Sequence, residues 1–283
     1  MTFLQAIVLG IVQGLTEFLP ISSTAHLRIV PALFGWHFYG GTTNDPGAAF
    51  TAIVQLGTTV AIVVYFWREL LQVILAWGRG LYDKSVRSSL EYKLGWYLIL
   101  ATVPVGVFGL IFSHDIETGA RNLWVIACAL IGLAVFLFAA EKVSSRDREE
   151  ESLTTMDAVV VGAAQALALI PGASRSGTTI TAGLFRGLTR ETAARFSFLL
   201  SIPAVVLSGV YEAARIGKHH DGNPGVGLIG IAVLMAFIVG LASIAWLMRW
   251  LANHSTFIFI YYRIGLGVLL IVLLSTGVLN ATK

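Results

Sequence analysis

Charged residues are scarce in this 283-residue chain, because Asp, Glu, Lys and Arg together make up only 12% of it. A soluble domain usually carries about 25% charged residues. Apolar residues make up 56% of the chain, and the mean hydropathy is +0.79. This composition excludes an ordinary soluble domain and predicts an all-α polytopic membrane protein. The formal net charge of +3 is assigned to cytoplasmic loops, so no nucleic-acid binding is expected.

Cysteine is nearly absent as well, since Cys128 is the single cysteine of the sequence. One cysteine excludes a disulfide framework within the chain and also a site built from several thiolates. Cys128 lies inside an apolar run. We therefore expect it to be buried and to serve only in packing.

Long apolar runs, by contrast, are abundant. A helix needs about 20 residues to cross about 30 Å of hydrocarbon. Six stretches are long enough, and they lie near residues 47–66, 93–112, 122–141, 195–216, 226–249 and 257–279. We expect each of these stretches to form a transmembrane helix.

Four further apolar stretches are too short to span a bilayer and form two pairs, each interrupted at a proline. The stretches are residues 3–19 and 23–35 around Pro20, and residues 157–170 and 176–188 around Pro171-Gly172. Each pair is predicted to form a re-entrant helical hairpin, the first over residues 3–35 and the second over 157–188. Irregular backbone at membrane depth is tolerated only where protein or a water-filled cavity surrounds it. Neither turn is therefore expected to face lipid.

The sequences around the two interruptions resemble each other. The segment VLGIVQGLTEFLPISST resembles VVGAAQALALIPGASRS, which aligns Gln13 with Gln165 and Pro20 with Pro171 after a one-residue gap. Each half of the chain then holds one hairpin and three spans, an odd number of crossings. The pattern predicts an inverted-topology repeat with its binding site at the interrupted segments.

The predicted repeats are residues 1–141 and 157–283, joined by a charged linker over residues 142–156. Most Lys and Arg residues fall on the side of this linker. The positive-inside rule places that side in the cytoplasm. The first hairpin then enters from outside and the second from the cytoplasm, so their tips are expected to meet near the bilayer midplane.

The first tip, TEFLPISSTAHL, carries several polar side chains in an otherwise apolar region. Gln13 and Glu17 are four residues apart and share one helix face. Ser22 or Ser23 is a natural N-cap for the returning half-helix. Ser23 and His26 are three residues apart, which makes them neighbours on that helix and a candidate nucleophile and base.

The second tip, PGASRSGTT, combines glycines with hydroxyl groups and one arginine, Arg175. Two half-helix N-termini that converge form an anion site, and the guanidinium fork of arginine suits phosphate oxygens. Glu17 would repel a phosphate unless it is protonated or shares a divalent cation with it. Mg²⁺ or Ca²⁺ bound by one carboxylate and substrate phosphates is an ordinary arrangement. We therefore expect phosphoryl chemistry on a membrane-borne substrate.

Several polar residues keep alternative interpretations. Glu17 and Arg175 could form a purely structural ion pair between the hairpins. Gln55 is expected to join helices rather than to bind a ligand. Arg28 is expected to snorkel outward. For Arg263 two interpretations stay open, namely that its side chain faces the site or substrate and that it does not. A secondary transporter or flippase of an anion or prenyl phosphate is the alternative function, because inverted repeats are common among transporters.

The motifs GLTEFLPISSTAHL and PGASRSGTT resemble the two signatures of the undecaprenyl-diphosphate phosphatases, also called bacitracin-resistance proteins. The similarity extends to FTAIVQLG, FSFLLSIP and YYRIG and covers essentially the whole chain. It implies an inner-membrane enzyme that removes the terminal phosphate of undecaprenyl diphosphate and so recycles the lipid carrier of peptidoglycan synthesis. It also implies an inverted repeat with two re-entrant hairpins and a site that opens to the periplasm or cell exterior.

The resemblance assigns roles to individual residues. Glu17 becomes the metal-binding or acid–base residue, Ser23 the candidate nucleophile and His26 the base or alternative nucleophile. The residues expected around the diphosphate are Gln13, Ser22, Thr24, Ser174, Arg175, Ser176 and Thr178. Family members with Glu at the place of Gln13 have two carboxylates, whereas this chain has one. The sequence leaves open which of Ser23 and His26 attacks, and whether the protein is a homodimer.

Overall fold

The computed structural model describes residues 1–38, 45–112, 122–216 and 226–281. The predicted repeats and several predicted loops include segments outside these ranges. Within them every named element is helical, which confirms the all-α class. The helices are α1 (Phe3–Phe18), α2 (Ser23–Leu33), α3 (Gly47–Tyr65), α4 (Trp67–Gly80), α5 (Leu90–Ile111), α6 (Leu123–Val143), α7 (Thr155–Ala166), α8 (Arg175–Phe185), α9 (Arg190–Ile216), α10 (Val226–Asn253) and α11 (Phe257–Ser275).

Four of these helices, namely α5, α6, α10 and α11, are long and apolar enough to cross a membrane. The bent pair formed by α3 and α4 gives a fifth crossing if the two helices act as one span, although they meet at 77°. The chain is therefore a multi-pass membrane protein. Predicted spans 93–112, 122–141, 226–249 and 257–279 correspond to the four long helices.

One predicted span differs from the structure in an informative way. Residues 47–66 fall in α3, but the chain bends at Phe66 and continues as α4, whose first turn carries Arg68 and Glu69. Residues 195–216 lie within the 27-residue helix α9, so a helix is present where that span was predicted.

The first interrupted pair breaks between Phe18 and Ser23, and the second breaks between Ala166 and Arg175. Ser22 and Ser174 precede the two returning helices and share an unusual backbone, with φ of 76° and 73°. The side chain of each accepts a hydrogen bond from the backbone N–H three residues on. A non-glycine residue at positive φ costs about 1 kcal/mol or more. The same costly conformation therefore recurs where each half-helix begins.

Glycines bring α1 into close contact with α10. A Cβ added to Gly10 would lie 2.4 Å from the Ala232 carbonyl oxygen, and one added to Gly14 would lie 2.8 Å from the Gly240 nitrogen. Only a residue without a side chain allows this approach, as is common between helices in lipid. The packing fixes the rotation of α1 and thus the face that carries Gln13 and Glu17.

The largest apolar core cluster draws on helices from both predicted halves. Its members include Phe18 of α1, Leu98 of α5, Leu137 of α6, Phe198 of α9 and Ile244 of α10. The two broken pairs are thus anchored in one common core, which restricts their movement relative to each other.

Two expectations about burial were wrong. Cys128 is exposed on α6 rather than buried, since the outer surface of a membrane helix is as apolar as its interior. Arg28 does not snorkel outward but is only 2% exposed, with its Nε 3.7 Å from the Asp45 carboxylate. A buried arginine is tolerated where an acidic side chain accompanies it.

Candidate active site

The two breaks meet through direct hydrogen bonds. The Ser176 hydroxyl donates to the Leu19 carbonyl at 3.1 Å, and the Gly172 N–H donates to the Thr24 hydroxyl at 3.4 Å. Residues from both predicted hairpins thus lie together in one candidate site. The first turns of α2 and α8 begin at these two breaks, and helix N-termini favour a bound anion.

Glu17 lies at the centre of this candidate site, and the residue is 7% exposed. Its Oε2 accepts hydrogen bonds from the Gln13 amide at 2.9 Å and from the Ser23 hydroxyl at 2.7 Å. Its Oε1 accepts from the Gln55 amide at 2.8 Å and from the Arg175 guanidinium. Each carboxylate oxygen therefore accepts two hydrogen bonds.

Gln55 is a residue of this centre that the sequence interpretation underrated. It joins α3 to α1 as expected, but its partner is the site carboxylate rather than a remote helix. The feature of the sequence that could have indicated this role is a single side-chain amide, Gln55, within an apolar stretch. Nothing local shows which helix such an amide meets, because its partner Glu17 lies 38 residues away.

Ser23 and His26 do not form the expected pair within the part of the chain that the structure describes. The Ser23 hydroxyl donates to Glu17 instead. His26 Nδ1 lies 2.7 Å from the Ser22 carbonyl oxygen, and its Nε2 lies 2.6 Å from the Tyr262 hydroxyl. Because a carbonyl only accepts, Nδ1 carries the proton, and in the neutral ring Nε2 accepts from Tyr262. The ring is therefore turned towards α11 and away from Ser23.

The hydroxyl groups of the two tips differ in their availability. Ser22 and Thr24 lie 3.1 Å apart through their hydroxyl oxygens, and those of Ser174 and Ser176 lie 3.2 Å apart. These short polar groups stand at the helix N-termini. Thr178 is instead bonded back to the Arg175 carbonyl at 2.9 Å, the behaviour expected of a threonine inside a helix.

Arg175 crosses from the second break to the first. Its guanidinium pairs with Glu17, and its NH1 donates to the Ser201 carbonyl at 3.2 Å. Its side chain is 17% exposed, so part of the guanidinium remains accessible. The pair brings a carboxylate of the first break and a guanidinium of the second into direct contact.

The residues present offer a divalent cation few protein ligands. Within the described ranges no group of three or more His, Cys, Asp or Glu side chains could hold a metal ion. Besides Glu17, the Oε1 atom of Gln13 is buried and has no hydrogen-bond partner. One carboxylate and one amide oxygen suit a hard cation that takes its other ligands from phosphates and water.

A comparison with known families gives one match over nearly the whole chain. The model of the family described as "Bacitracin resistance protein BacA" matches residues 6–269. The chain belongs to the BacA family. Both motif regions and the Tyr262 partner of His26 fall inside the matched residues of this BacA-family chain.

Individual relatives agree in length with the chain. The protein named "Undecaprenyl-diphosphatase" from Myxococcus xanthus (strain DK1622) is 49% identical over 280 residues, which cover 99% of this chain and 92% of the relative. The protein of the same name from Mycolicibacterium smegmatis is 49% identical over 285 residues, covering 99% of this chain and 100% of the relative. A third, from Chloroherpeton thalassium, is 49% identical over 290 residues with the same coverage.

Proposed function

We propose that this protein hydrolyses undecaprenyl diphosphate to undecaprenyl phosphate and inorganic phosphate. The names of its BacA-family relatives, which are about half identical over the full length, support this activity over transport or flipping. The observation that carries the proposal is the buried carboxylate of Glu17. It accepts a hydrogen bond from Ser23 and forms an ion pair with Arg175, at the start of two half-helices.

The lipid diphosphate first competes with Glu17 for Arg175. Its phosphates take the guanidinium in a bidentate contact, helped by the N–H groups and hydroxyls at Ser22, Thr24, Ser174 and Ser176. Thr178 holds the backbone of this turn rather than the phosphate. Once Arg175 turns to the phosphates, Glu17 Oε2 still accepts the hydrogen bond from Ser23.

Ser23 then attacks the terminal phosphorus. Its proton moves to Glu17 Oε2 along the 2.7 Å hydrogen bond, and the bond from that phosphorus to the bridging oxygen breaks. Undecaprenyl phosphate leaves, and water cleaves the phosphoserine to release phosphate. Arg175 and the helix N-termini neutralise the charge that develops on the phosphoryl oxygens. His26 as the attacking residue stays an alternative that requires Tyr262 to move away from Nε2.

We also propose a divalent cation, Mg²⁺ or Ca²⁺, as cofactor. Glu17 and the Oε1 atom of Gln13 would hold it together with the substrate phosphates. When bound, the cation would add positive charge where the phosphoryl group transfers. Gln13 cannot supply a second negative ligand, so binding of the cation should depend on the diphosphate.

The inverted repeat, the inner membrane and a site facing the periplasm or cell exterior belong to the same proposal. Ser22 and Ser174, which share a positive φ at the two breaks, support a duplicated hairpin. The division into residues 1–141, 142–156 and 157–283 stays a prediction, as does a homodimer. Membrane lipids surround the apolar outer surface, and a lipid substrate enters from them.

The experiment is release of phosphate from undecaprenyl or farnesyl diphosphate by the purified protein in detergent. The parental protein should release phosphate, and Arg175→Gln should lose most of the rate. Cys128→Ser, which changes an exposed residue outside the site, should keep the parental rate. If purified parental protein instead moves prenyl phosphate across liposomes without releasing phosphate, the transporter alternative is correct.

A further inference from the structure

Arg263 on α11 is an arginine buried without an acidic partner in the described ranges. It is 1% exposed. Its guanidinium donates to five backbone carbonyl oxygens: Nε donates to Leu130 at 3.1 Å, NH1 donates to Pro20 at 3.0 Å, and NH2 shares its two hydrogens among Ala129 at 3.3 Å, Gly172 at 3.1 Å and Ala173 at 3.0 Å. A buried charge is costly unless many polar atoms compensate it. The position therefore calls for a specific role.

The five carbonyls come from three separate segments. Pro20 belongs to the first break, Gly172 and Ala173 belong to the second, and Ala129 and Leu130 belong to α6. The carbonyls at the breaks lie outside the helices, so the chain itself offers them few partners. One side chain thus ties the backbones of both breaks to one transmembrane helix.

We propose that Arg263 is the positioning residue that fixes the distance between the two halves of the active site. It holds the segment leading to Ser23 and the segment leading to Arg175 at a fixed position relative to each other, which we call their register. This inference rests on the proposed phosphatase activity, because the register concerns attack of Ser23 on a phosphate held by the second break.

Two features of the site depend on the shape of arginine. Its planar fork carries five N–H donors, whereas lysine carries three donors on one nitrogen. Lysine therefore cannot reach the carbonyls of both breaks and α6 together. In addition, a Cβ on Gly177 would lie 2.9 Å from Arg263 NH1, so glycine at this position leaves room for the guanidinium.

A misplaced register should affect the chemical step more than lipid binding. A displacement of about 1 Å can reduce the rate by about 10²-fold. We therefore expect Arg263→Lys to lower kcat by about 10²-fold. KM for the prenyl diphosphate should change by less than about threefold, since the tail and the phosphate-binding groups are retained. Gly177→Ala should give a smaller fall in kcat with the same pattern.

Arg190→Lys is the matched control. Arg190 pairs with the buried Glu141 and joins α9 to α6, so this variant also weakens a buried arginine contact between helices, but away from both breaks. All variants are compared per folded molecule, taken from the monodisperse peak in detergent, with kcat, KM and the unfolding temperature measured. Arg190→Lys should lower the unfolding temperature and keep the parental kcat.

The outcomes separate the two proposals. If the parental protein releases no phosphate, the proposed function is wrong. If the parental protein is active and both Arg263→Lys and Gly177→Ala keep its kcat, the positioning role is wrong. It is also wrong if Arg190→Lys lowers kcat as much as Arg263→Lys does, since the effect then reflects general stability. If Arg263→Lys fails to fold, Gly177→Ala decides, compared in a Ser174→Ala background because the added Cβ would also lie 3.2 Å from Ser174 Oγ.

Discussion

Replacing Glu17 by glutamine removes the negative charge at the centre of the site while nearly preserving its shape. Glutamine keeps one acceptor oxygen, but its other terminal atom is a donor. Depending on its orientation, that amide points either at Gln13 and Ser23 or at Gln55 and Arg175, all of which donate in the parental protein. The variant therefore loses both the proton acceptor for Ser23 and the partner of Arg175.

The size of each loss follows from these contacts. A positioned general base contributes about 10²–10⁴-fold to the rate, so kcat should fall by that factor. Removing one partner of a buried ion pair costs about 3–5 kcal/mol. Arg175 is 17% exposed and keeps the Ser201 carbonyl, so we expect the lower end, about 3 kcal/mol, in the free energy of unfolding.

The assay is phosphate release from a prenyl diphosphate at saturating substrate, together with thermal unfolding in detergent. Gln55→Leu removes one donor to the same carboxylate and should cost less than about tenfold in kcat. Thr59→Val, on the same helix, removes a hydroxyl that donates to the Gln55 backbone carbonyl at 2.9 Å rather than to Glu17, and should leave kcat unchanged. A Glu17→Gln protein with kcat within about threefold of the parental value would refute the role of Glu17 as proton acceptor. A larger loss in His26→Gln than in Glu17→Gln would transfer that role to the imidazole.

Three further predictions concern other parts of the structure. Tyr262→Phe removes the 2.6 Å partner of His26 Nε2 and should leave kcat within about threefold of the parental value, as should Tyr261→Phe at the neighbouring, more exposed tyrosine; a rise in kcat in Tyr262→Phe alone would favour His26 as the attacking residue. Ser22→Ala removes the N-cap of α2 at a positive φ and should lower the free energy of unfolding by about 1–2 kcal/mol, with Ser22→Gly costing less; equal losses would contradict this origin. Burial raises the pKa of Glu150 in the linker against the opposing effect of Arg195, so its ionised form destabilises the fold above that pKa. Glu150→Gln should therefore raise the unfolding temperature at pH 7, and the gain should vanish as the pH falls through the raised pKa; a gain that persists at pH 4 would contradict it.

The features of the fold that could be predicted from the sequence are those fixed locally. The breaks at Pro20 and Pro171 were predicted, although Pro31, Pro104 and Pro203 lie inside helices, and apolar runs of sufficient length form α5, α6, α10 and α11. The bend between α3 and α4 was missed because the apolar run ends only where Arg68 and Glu69 begin, and a length count does not show direction. The exposure of Cys128 was missed because lipid removes the usual contrast between surface and interior.

The sequence predicted which residues belong to the site, but not which of them form hydrogen bonds with each other. Polar residues at two interruptions indicated convergence, and Glu17 and Arg175 do meet. The spacing of Ser23 and His26 indicated a pair, yet contacts from other helices decide where each points. The His26 imidazole bonds the Tyr262 hydroxyl, which lies 236 residues away in the sequence, and the Ser23 hydroxyl donates to Glu17. Arg263 shows the same limit, since its five carbonyl partners lie in segments that only the fold brings together.

The contact of Glu17 with Arg175 across the two breaks can be measured directly with a double-mutant cycle. The parental protein, Glu17→Gln, Arg175→Gln and the double variant would be compared in their free energies of unfolding in detergent. Residues in contact show interaction energies of about 0.5–3 kcal/mol, whereas distant residues add within about 0.5 kcal/mol. We expect the double variant to be more stable than the sum of the single losses predicts, by at least about 1 kcal/mol. Additive losses would mean that the carboxylate and the guanidinium do not share one site, and the proposed catalytic mechanism would then be wrong.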